Sequence, residues 1–294
     1  MSSSTTMDAQ ALVPGEYLLT IADFRQIAAI LHDDAGISLS EAKAALVYAR
    51  LAKRLRALGL SSFRDYCAIV SNGNAVDERQ KLVAALTTNV TKFFREKHHF
   101  DHLRQKVLPG LIERARKGGR VRIWSAGCSN GQEAYSAALV ILQMMPDVLD
   151  YDFKLLASDI DPNMIAEGRI GAYAENAIED VPAELRNRWL RRSRDGGDTR
   201  WQVAEEARQL VAFRELNLFA PWPMKRPFDV IFCRNVAIYF DKDKQADLWA
   251  RFAGVLVPEG YLYIGHSERI SGPAADIFAN DGITTWRRAS GGVR

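Results

Sequence analysis

A chain of 294 residues is long for one compact domain and short for three, so we expect one large domain or two of ordinary size. Hydrophobic residues make up 48% and charged residues 26%, which excludes wholesale disorder and fibrous repeats. The 39 Lys and Arg nearly balance the 36 Asp and Glu, which excludes a generic nucleic-acid binder. No apolar run approaches the ~18 residues of a bilayer crossing, and the polar start lacks a secretory pattern. We therefore expect a cytoplasmic protein.

The first part of the chain has the pattern of helices. Thr20–Asp23 and Ser38–Glu41 both resemble capping boxes followed by apolar residues at helical spacing. The second box is predicted to open a helix that ends at Gly59, and a long helix is predicted from about Phe93 to Arg116. The basic face of the helix before Gly59 carries Lys43, Arg50, Lys53 and Arg54. That face is either a solvated surface or a docking surface for an acidic partner.

From Val121 onward, predicted strands alternate with helices. The strands are predicted over Val121–Trp124, Phe153–Ala157, Val211–Leu216, Phe228–Cys233 and Tyr261–Gly265. Such alternation is typical of a doubly wound, mostly parallel sheet. Residues 170–210 are too many for one crossover helix, and two β-prone runs there flank an Asp/Gly turn. We therefore predict an inserted subdomain with a hairpin over residues 189–203.

These patterns predict four parts of the chain. They are a flexible tail over 1–15, an N-terminal helical domain over 16–86, a linker and helix over 87–119, and an α/β domain over 120–294 that contains the insert at about 170–210. The chain has three cysteines, Cys67, Cys128 and Cys233. Their spacing fits neither a disulfide framework nor a zinc site.

Ligands of a doubly wound sheet bind beyond the carboxyl ends of its strands. The turn after the first strand has only Gly127 and Gly131, so it lacks the dinucleotide pattern G-x-G-x-x-G. Glu133 at the next helix start suits a cationic or hydroxyl-bearing ligand, or it only stabilises the helix dipole. Asp159 either binds ribose hydroxyls or caps a helix, and Asn217 either contacts an adenine edge or closes a turn. Together these positions favour an adenosine-containing ligand.

Several longer motifs identify a family. The chain contains, in this order, TTNVTKFFRE, HHF, RIWSAGCSNGQEAYS, ASDID, NLF, FDVIFCRNVAIYF and GYLYIGHSE. Over about residues 20 to 288 it closely resembles the chemotaxis receptor methyltransferases, usually called CheR. One departure is AGCSNGQEA in place of the expected AxSTGEEP. Gln132 replaces the first acidic residue of that pattern and Glu133 retains the second, which would allow a weaker cofactor contact.

The resemblance implies a Rossmann-like, doubly wound methyltransferase sheet with a small antiparallel β-subdomain inserted, preceded by an all-α N-terminal domain. It implies an S-adenosylmethionine-dependent enzyme of chemotaxis adaptation that forms glutamate γ-methyl esters on chemoreceptors and releases S-adenosylhomocysteine. The positions that match the family's cofactor contacts are Asn89, Thr91, Arg95, Glu133, Asp159, Asn217, Leu218, Arg234 and Asn235. Arg95 and Tyr239 match the pair beside the transferred methyl group and are the expected catalytic residues.

The expected chemistry needs no general base, because a glutamate carboxylate is already ionised at neutral pH. Arg95 is expected to orient this carboxylate through one or two hydrogen bonds, and Tyr239 to aid its placement. His98 and His99 are adjacent on a predicted helix and so about 100° apart, which disfavours a shared ligand role. These two residues and His266 are expected to be structural, and no metal site is expected.

Acidic receptor helices, which the resemblance implies as partner, favour docking as the role of the basic face. The hairpin loop Arg191–Arg200, with Gly196 and Gly197, looks long. In the family such loops accompany tethering to a receptor's C-terminal peptide by strand addition. We expect a monomer with no nucleic-acid partner and no membrane insertion. A regulatory protein partner is left open.

Three other functions are weaker interpretations of the sequence. A nicotinamide dehydrogenase is disfavoured by the missing glycine pattern and by Glu133. A catalytically silent adaptor is disfavoured by the retained site residues, although only turnover would exclude it. Methyl transfer to an amine would require a base, and the sequence offers no candidate beside Tyr239.

Overall fold

The computed structural model describes residues 11–195 and 198–290, which divide into two compact units. The helical unit comprises residues up to Thr88 together with the segment Tyr239–Asp241. The α/β unit comprises Asn89–Ile238 and the residues from Lys242 onward. The tail expected over 1–15 falls mostly outside the described residues, so its flexibility stays a prediction. Within the two described ranges, no helix is both long and apolar enough to cross a membrane.

From residue 11 onward, the helical unit contains four α-helices. They are α1 Ile21–Ala35, α2 Ala44–Leu58, α3 Phe63–Val70 and α4 Val76–Leu86. Each buries an apolar face, with Phe24 and Leu31 of α1, Leu51 of α2 and Phe63 of α3 at most 1% exposed. The unit is therefore held together by a core of its own.

The helix ends confirm two of the predicted signals and contradict a third. Thr20 and Asp23 form the predicted capping box of α1, and α2 ends at Gly59 with a φ of 67°. The second capping box, Ser38–Glu41, is wrong, because a 3₁₀ turn over Glu41–Lys43 precedes α2 and the residue before α2 is Lys43, which makes no capping bond. Glu41 instead lies 3.1 Å from the guanidinium of Arg25. Glu41 therefore forms an ion pair with another helix and does not take part in a local cap.

The described residues of the α/β unit form ten strands in two sheets. The strands are β1 Val121–Ala126, β2 Phe153–Asp159, β3 Ala172–Ala174, β4 Leu190–Asp195, β5 Asp198–Val203, β6 Val211–Glu215, β7 Phe228–Cys233, β8 Leu256–Ile264, β9 Phe278–Gly282 and β10 Thr285–Arg288. The large sheet has the order β6-β2-β1-β7-β8-β10-β9. Its first five strands are parallel, as predicted, and β10 and β9 add an antiparallel edge. The doubly wound α/β class is confirmed, and the last hairpin was missed.

Seven α-helices lie in the part of this unit that the structure describes. They are α5 His98–His102, α6 Leu108–Arg116, α7 Gln132–Met144, α8 Pro162–Ile170, α9 Ala183–Trp189, α10 Glu205–Leu210 and α11 Lys242–Val255. The long helix predicted from Phe93 is wrong at its start, because Phe94 and Glu96 have left-handed φ angles of 52° and 54°. Helical structure begins only at His98, and a π-helical segment over Leu103–Val107 separates α5 from α6.

The insert forms a separate three-stranded antiparallel sheet with the order β3-β5-β4. Strands β4 and β5 pair from Leu190↔Val203 to Asp195↔Asp198. The predicted hairpin is confirmed, but the long loop is wrong, since the strands continue through most of Arg191–Arg200. Gly196 and Gly197 lie outside the described residues.

Buried side chains cover both faces of the large sheet. On one face, Trp124 of β1 packs edge-on against Phe252 of α11, with ring centroids 5.4 Å apart. On the other, Ile123 belongs to the core that contains Ala137 and Ala138 of α7. Successive strand residues face opposite sides, so β1 is covered twice, as expected for a central parallel strand.

Candidate active site at the strand ends

The carboxyl ends of neighbouring parallel strands carry most of the predicted site residues. Asp159 ends β2, Asn217 and Leu218 follow β6, and Arg234–Asn235 follows β7. Glu133 lies in the first turn of α7, which follows β1. Since β6, β2, β1 and β7 are adjacent in the sheet, these residues share one edge. We call them, with the loop over residues 89–96, the strand-end site.

The glycine turn between β1 and α7 is closely surrounded. Gly127 and Gly131 have φ angles of 77° and 91°, which L side chains rarely adopt. A Cβ at Gly127 would lie 2.4 Å from Cγ2 of Val236, and one at Gly131 would lie 2.8 Å from the ring of Phe213. Both glycines are therefore required by backbone conformation and by space.

Arg234 is buried between two carboxylates, with 2% of its side chain exposed. Nη1 donates to Oε2 of Glu133 at 3.1 Å, and Nη2 lies 3.4 Å from Oε2 of Glu96. Nη2 also donates to the backbone carbonyl of Arg95. The hydroxyl of Ser125 donates to the other oxygen of Glu133 at 2.7 Å. Burial raises the pKa of Glu133, although the attraction and hydrogen bonds of Arg234 and Ser125 oppose this.

Two buried polar atoms after β7 lack a hydrogen-bond partner among the described residues. They are Nε of Arg234, which is a donor, and Oδ1 of Asn235, which is an acceptor. Buried polar atoms are seldom left unpaired in folded proteins, so each calls for a partner. Nε of Arg234 could donate to a carboxylate, and Oδ1 of Asn235 could accept from an ammonium group. The two atoms together therefore fit the amino-acid part of a ligand.

Asp159 is 7% exposed and is held by backbone amides. Its Oδ2 accepts from the amide of Ser129 at 2.7 Å, and its Oδ1 accepts from the amide of Asp161 at 3.0 Å. The cap of α8 is Asp161, whose Oδ1 accepts from the amide of Asn163 at 2.9 Å. Asp159 is thus not the helix cap, and ribose binding by its carboxylate stays a prediction. Burial raises its pKa and the backbone hydrogen bonds oppose the rise.

The loop before α5 is tied to the end of β2. Nδ2 of Asn89 donates to Oδ2 of Asp161 at 2.9 Å, and the carbonyl of Asn89 accepts from the hydroxyl of Ser129 at 2.9 Å. Thr91 is half-buried two residues further on. The structure therefore brings the first predicted cofactor positions to the edge that carries Asp159.

Gln132 anchors the same loop to α7. Its Oε1 accepts from the amide of Phe93 at 3.1 Å, and the neighbouring Ser136 hydroxyl accepts from the amide of Phe94 at 2.9 Å. A glutamate at position 132 could accept the same bond, but it would place a further negative charge near Glu133. Nε2 of Gln132 also donates to Oδ1 of Asn130 at 3.2 Å, a bond that a glutamate could not make.

Arg95 occupies a constrained position in the loop. The residues on both sides of it, Phe94 and Glu96, have left-handed backbone angles, a strain that often accompanies functional sites. Its side chain donates from Nη1 to the carbonyl of Val90 at 3.1 Å. Its own carbonyl accepts from Arg234. The residue as a whole is half-buried, and its backbone is connected to the buried ion pair of Arg234.

Asn217 closes a turn after β6. Its Oδ1 accepts from the amide of Phe219 at 2.9 Å, which fits one of the two predicted roles. Leu218 is 7% exposed, and its carbonyl accepts from Nε1 of Trp222 at 3.1 Å. These contacts fix the backbone at this strand end, and a contact between Asn217 and an adenine edge stays a prediction.

Two glutamates join the site although sequence reasoning gave them no role. Glu268 is buried and accepts hydrogen bonds from backbone amides that include Asn235 at 3.0 Å. Glu96 accepts from the amide and from Nδ1 of His266 at 3.2 and 3.1 Å. Burial opposes the ionisation of Glu96, but Arg234 and His266 outweigh it and lower the pKa. The available signal was their place in the FFRE and GHSE motifs.

The histidines are closer together than the sequence indicated. The rings of His98 and His99 lie 4.2 Å apart, so the argument that adjacent positions separate them is wrong. With Glu96 they place three ligand-type atoms within 4.8 Å of one another. However, Nε2 of His99 lies 2.8 Å from Oγ1 of Thr284, and Arg234 already supplies a positive charge to Glu96. Because the guanidinium of Arg234 already lies beside Glu96, we assign no metal to this cluster.

Tyr239, the second predicted catalytic residue, belongs to the helical unit. Its carbonyl accepts from the amide of Ser38 at 2.8 Å, and Nζ of Lys43 lies 5.9 Å from its ring centroid. A predicted docking residue and a predicted catalytic residue therefore lie side by side within this unit.

The remaining basic residues of α2 have different surroundings. Arg50 donates to the carbonyls of Leu86 and Thr87 at 2.9 and 2.6 Å. Arg54 forms a two-point ion pair with Glu78, with distances of 3.0 and 2.7 Å. Lys43 and Lys53 are exposed. Half of the predicted docking face thus stabilises the helical unit itself.

Comparison with known families now assigns both units. Residues 22–87 match the CheR methyltransferase all-alpha domain, and residues 89–285 match the CheR methyltransferase SAM binding domain. The α/β unit is therefore an S-adenosylmethionine-binding methyltransferase domain. The chain belongs to the CheR methyltransferase family, which confirms the resemblance and the expected cofactor.

Relatives of similar length support this assignment. The chain is 54% identical to a probable chemotaxis protein methyltransferase of Rhizobium etli, over 90% of this chain and 98% of that protein. It is 43% identical to chemotaxis protein methyltransferase 2 of Pseudomonas aeruginosa, over 86% and 88%. It is 37% identical to the chemotaxis protein methyltransferase of Escherichia coli K12, over 86% of each chain.

The unpartnered atoms of the site fit this cofactor. Nε of Arg234 would donate to the α-carboxylate of S-adenosylmethionine, and Oδ1 of Asn235 would accept from its α-ammonium group. Asp159, which does not cap α8, would accept hydrogen bonds from the ribose hydroxyls. When bound, the cofactor supplies an electrophilic methyl group on a sulfonium ion.

Proposed function

We propose that this protein transfers the methyl group of S-adenosylmethionine to glutamate side chains of chemoreceptors, forming γ-methyl esters. The observation that carries the proposal is the placement of Arg95. Its guanidinium is anchored at the carbonyl of Val90, and its backbone carbonyl is bonded by Arg234. A permanent positive charge is thereby linked to the proposed cofactor residues, where it would bind a substrate carboxylate through one or two hydrogen bonds.

The carboxylates of the site favour a substrate that is already ionised. Glu133 and Glu96 are engaged by Arg234, and Asp159 and Glu268 by backbone amides. None of these four is placed as a general base, which an amine acceptor would need. A glutamate oxygen forms its bond to the methyl carbon as the carbon–sulfur bond breaks. S-adenosylhomocysteine then leaves, and no proton has to move.

Substrate orientation is the part of the catalysis that Arg95 would supply. The carboxylate loses its charge in the transition state, so a very strong ion pair would favour the ground state. The bond from Arg95 to Val90 occupies one edge of the guanidinium and limits how it can meet the substrate. We propose that Arg95 orients one carboxylate oxygen toward the methyl group and that Tyr239 assists.

Two surfaces are proposed to hold the receptor. Lys43 and Lys53 are exposed on the helical unit and would attract an acidic receptor helix. Among the described strands of the inserted sheet, only β5 pairs with β4, so the other edge of β4 is open and carries exposed Arg191 and Arg192. An acidic receptor tail could add there as a strand. A receptor cytoplasmic domain as substrate places the proposed reaction in the cytoplasm.

The test is transfer of labelled methyl groups from S-adenosylmethionine to a purified receptor cytoplasmic domain, followed by mild alkali. Label released as methanol would identify an ester. Label that resists alkali would contradict the proposal and indicate methylation of an amine or amide. Cofactor binding with no transfer to any receptor would point to an adaptor.

The role of Arg95 is tested separately with Arg95→Ala. We expect kcat to fall about 100-fold or more, with cofactor affinity nearly unchanged, because orientation is lost. Lys97→Ala is the matched control, since Lys97 is an exposed cation two residues away. Normal turnover of the Arg95 variant would remove this residue from the mechanism.

A further inference from the structure

We infer that Glu268 is a positioning residue for the cofactor and acts through Asn235. Its buried carboxylate accepts hydrogen bonds from four backbone amides at 2.5 to 3.0 Å. The four donors are the amides of Gly265, Asn235, Val236 and Ala237. A ring of backbone N–H groups around one anion is a stable arrangement, and here the anion is part of the chain itself.

The turn bound by Glu268 has an unfavourable backbone conformation. Asn235 has a φ of 59°, which costs free energy even for asparagine. Two amides bonded to Glu268 follow this residue, and its own amide is the third. Burial raises the pKa of Glu268, and these backbone hydrogen bonds oppose the rise. The strained conformation is therefore stabilised by the carboxylate.

The side chain of Asn235 is fixed from a second direction. A Cβ at Gly265 would lie 2.6 Å from Nδ2 of Asn235 and 2.7 Å from its backbone nitrogen. Glycine at this position, at the end of β8, lets the asparagine pack directly on the neighbouring backbone. Glu268 thus fixes the backbone of Asn235, and the contact with Gly265 fixes its side chain.

The fixed side chain ends in the buried Oδ1 that has no partner in the described part of the chain. Preorganised acceptors bind more tightly because little ordering remains to be done on binding. The inference rests on the proposed role of Asn235 in holding the cofactor. It adds that the acceptor is placed by a glutamate that need not touch the cofactor.

The experiment is a double-mutant cycle read by calorimetry with S-adenosylhomocysteine, using the full chain. Asn235→Ala removes the Oδ1 acceptor and keeps the backbone amide of residue 235. Glu268→Gln weakens the hydrogen bonds from the four backbone amides and keeps the side chain of Asn235. We expect each single variant to lose about tenfold in affinity, and the double variant to lose about tenfold as well. Glu259→Gln is the matched control, since Glu259 is an exposed glutamate of β8. It should bind as the unmodified chain does.

Additive losses, about 100-fold in the double variant, would overturn the inference, because a general structural effect would not depend on Asn235. Normal affinity of the Glu268 variant would overturn it too. If Asn235→Ala alone binds normally, its proposed cofactor role fails, and if the unmodified chain does not bind, the proposed function fails.

Gly265→Ala is the second variant, to be measured if Glu268→Gln does not fold. It keeps the carboxylate and displaces Asn235, so we expect the same tenfold loss, and normal affinity would contradict the inference.

Discussion

The two units each contain an arginine–glutamate ion pair, and the pairs differ in exposure and in how complete their hydrogen bonding is, since the arginine side chain is 25% exposed in the helical unit and 2% exposed in the α/β unit. In the helical unit, Arg54 meets Glu78 at two points, at 3.0 and 2.7 Å, and Tyr66 donates to the same carboxylate at 3.2 Å. In the α/β unit, Arg234 makes a single contact with Glu133 at 3.1 Å. Its Nε lacks a partner among the described residues.

The difference separates a structural pair from a functional one. A saturated pair holds helices together and offers no atom to a ligand. A pair with an open donor is less favourable on its own, because a buried polar atom without a partner costs about 1–3 kcal/mol. Such an atom persists where a ligand completes it.

Breaking the open pair should have the largest effect. Arg234→Met leaves Glu133 and Glu96 as buried carboxylates without their cation. We expect the free energy of unfolding to fall by about 3–5 kcal/mol and cofactor binding to disappear. Denaturant unfolding and calorimetry measure the two effects. A folded variant that binds the cofactor normally would contradict the functional interpretation of this pair.

Cofactor should stabilise the protein only while the open pair is intact. Saturation with S-adenosylhomocysteine at 100 times its Kd should raise the free energy of unfolding by about 2.7 kcal/mol. The gain should be the same in Arg54→Met and absent in Arg234→Met. Thermal unfolding with and without the ligand tests this. An equal gain in both variants would show that Arg234 does not contact the ligand.

Breaking the closed pair should cost stability without changing cofactor affinity. Arg54→Met leaves Glu78 buried, but the arginine side chain is 25% exposed, so water can partly replace it. We expect a loss of about 1–3 kcal/mol in the free energy of unfolding. Denaturant titration gives the loss, and calorimetry should give an unchanged Kd. A weakened cofactor affinity in a folded variant would argue against a purely structural pair.

Much of the fold could be predicted because its signals are local. Each parallel strand is a short apolar run bounded by turn residues, and the caps at Thr20 and Gly59 follow from neighbouring residues. The hairpin β9–β10 was missed because most of β9 is exposed, so it lacks the apolar run that marked the parallel strands, although its partner β10 follows it directly. The start of the Phe93 helix was misplaced because its left-handed angles depend on tertiary contacts from Gln132 and Ser136.

The site was predicted by position but not by partner. Residues such as Asp159 were found because they end strands, yet the ion pair of Arg234 with Glu133 joins residues 101 positions apart. The same limit applies to Arg54, which looked like a free docking cation and is bound to Glu78, 24 positions away. Side-chain pairing at such separations leaves no pattern in one sequence.

Acid should weaken the α/β unit through His99. Burial, with the positive charge of Arg234 and the neighbour His98, lowers the pKa of His99 from its ordinary 6.5. Below pH 6.5 the unfolded chain takes up a proton that the folded chain resists, so the free energy of unfolding falls as pH falls and is fully retained above that value. The slope is at most about 1.4 kcal/mol per pH unit for one proton. His99→Gln should flatten this dependence in denaturant titrations, and an unchanged slope would assign it to other groups.

The smallest effect is expected on the surface of α2, where Lys53 and Arg50 can be compared. Lys53→Ala should change the free energy of unfolding by less than about 0.5 kcal/mol, because the lysine is exposed. Arg50→Ala should destabilise more, since it loses bonds to the carbonyls of Leu86 and Thr87 after α4. If the face docks an acidic receptor, Lys53→Ala should slow association at low salt and reduce its salt dependence. An association rate equal to that of the unmodified chain at every salt concentration would leave Lys53 as a solvated residue and remove it from the docking surface.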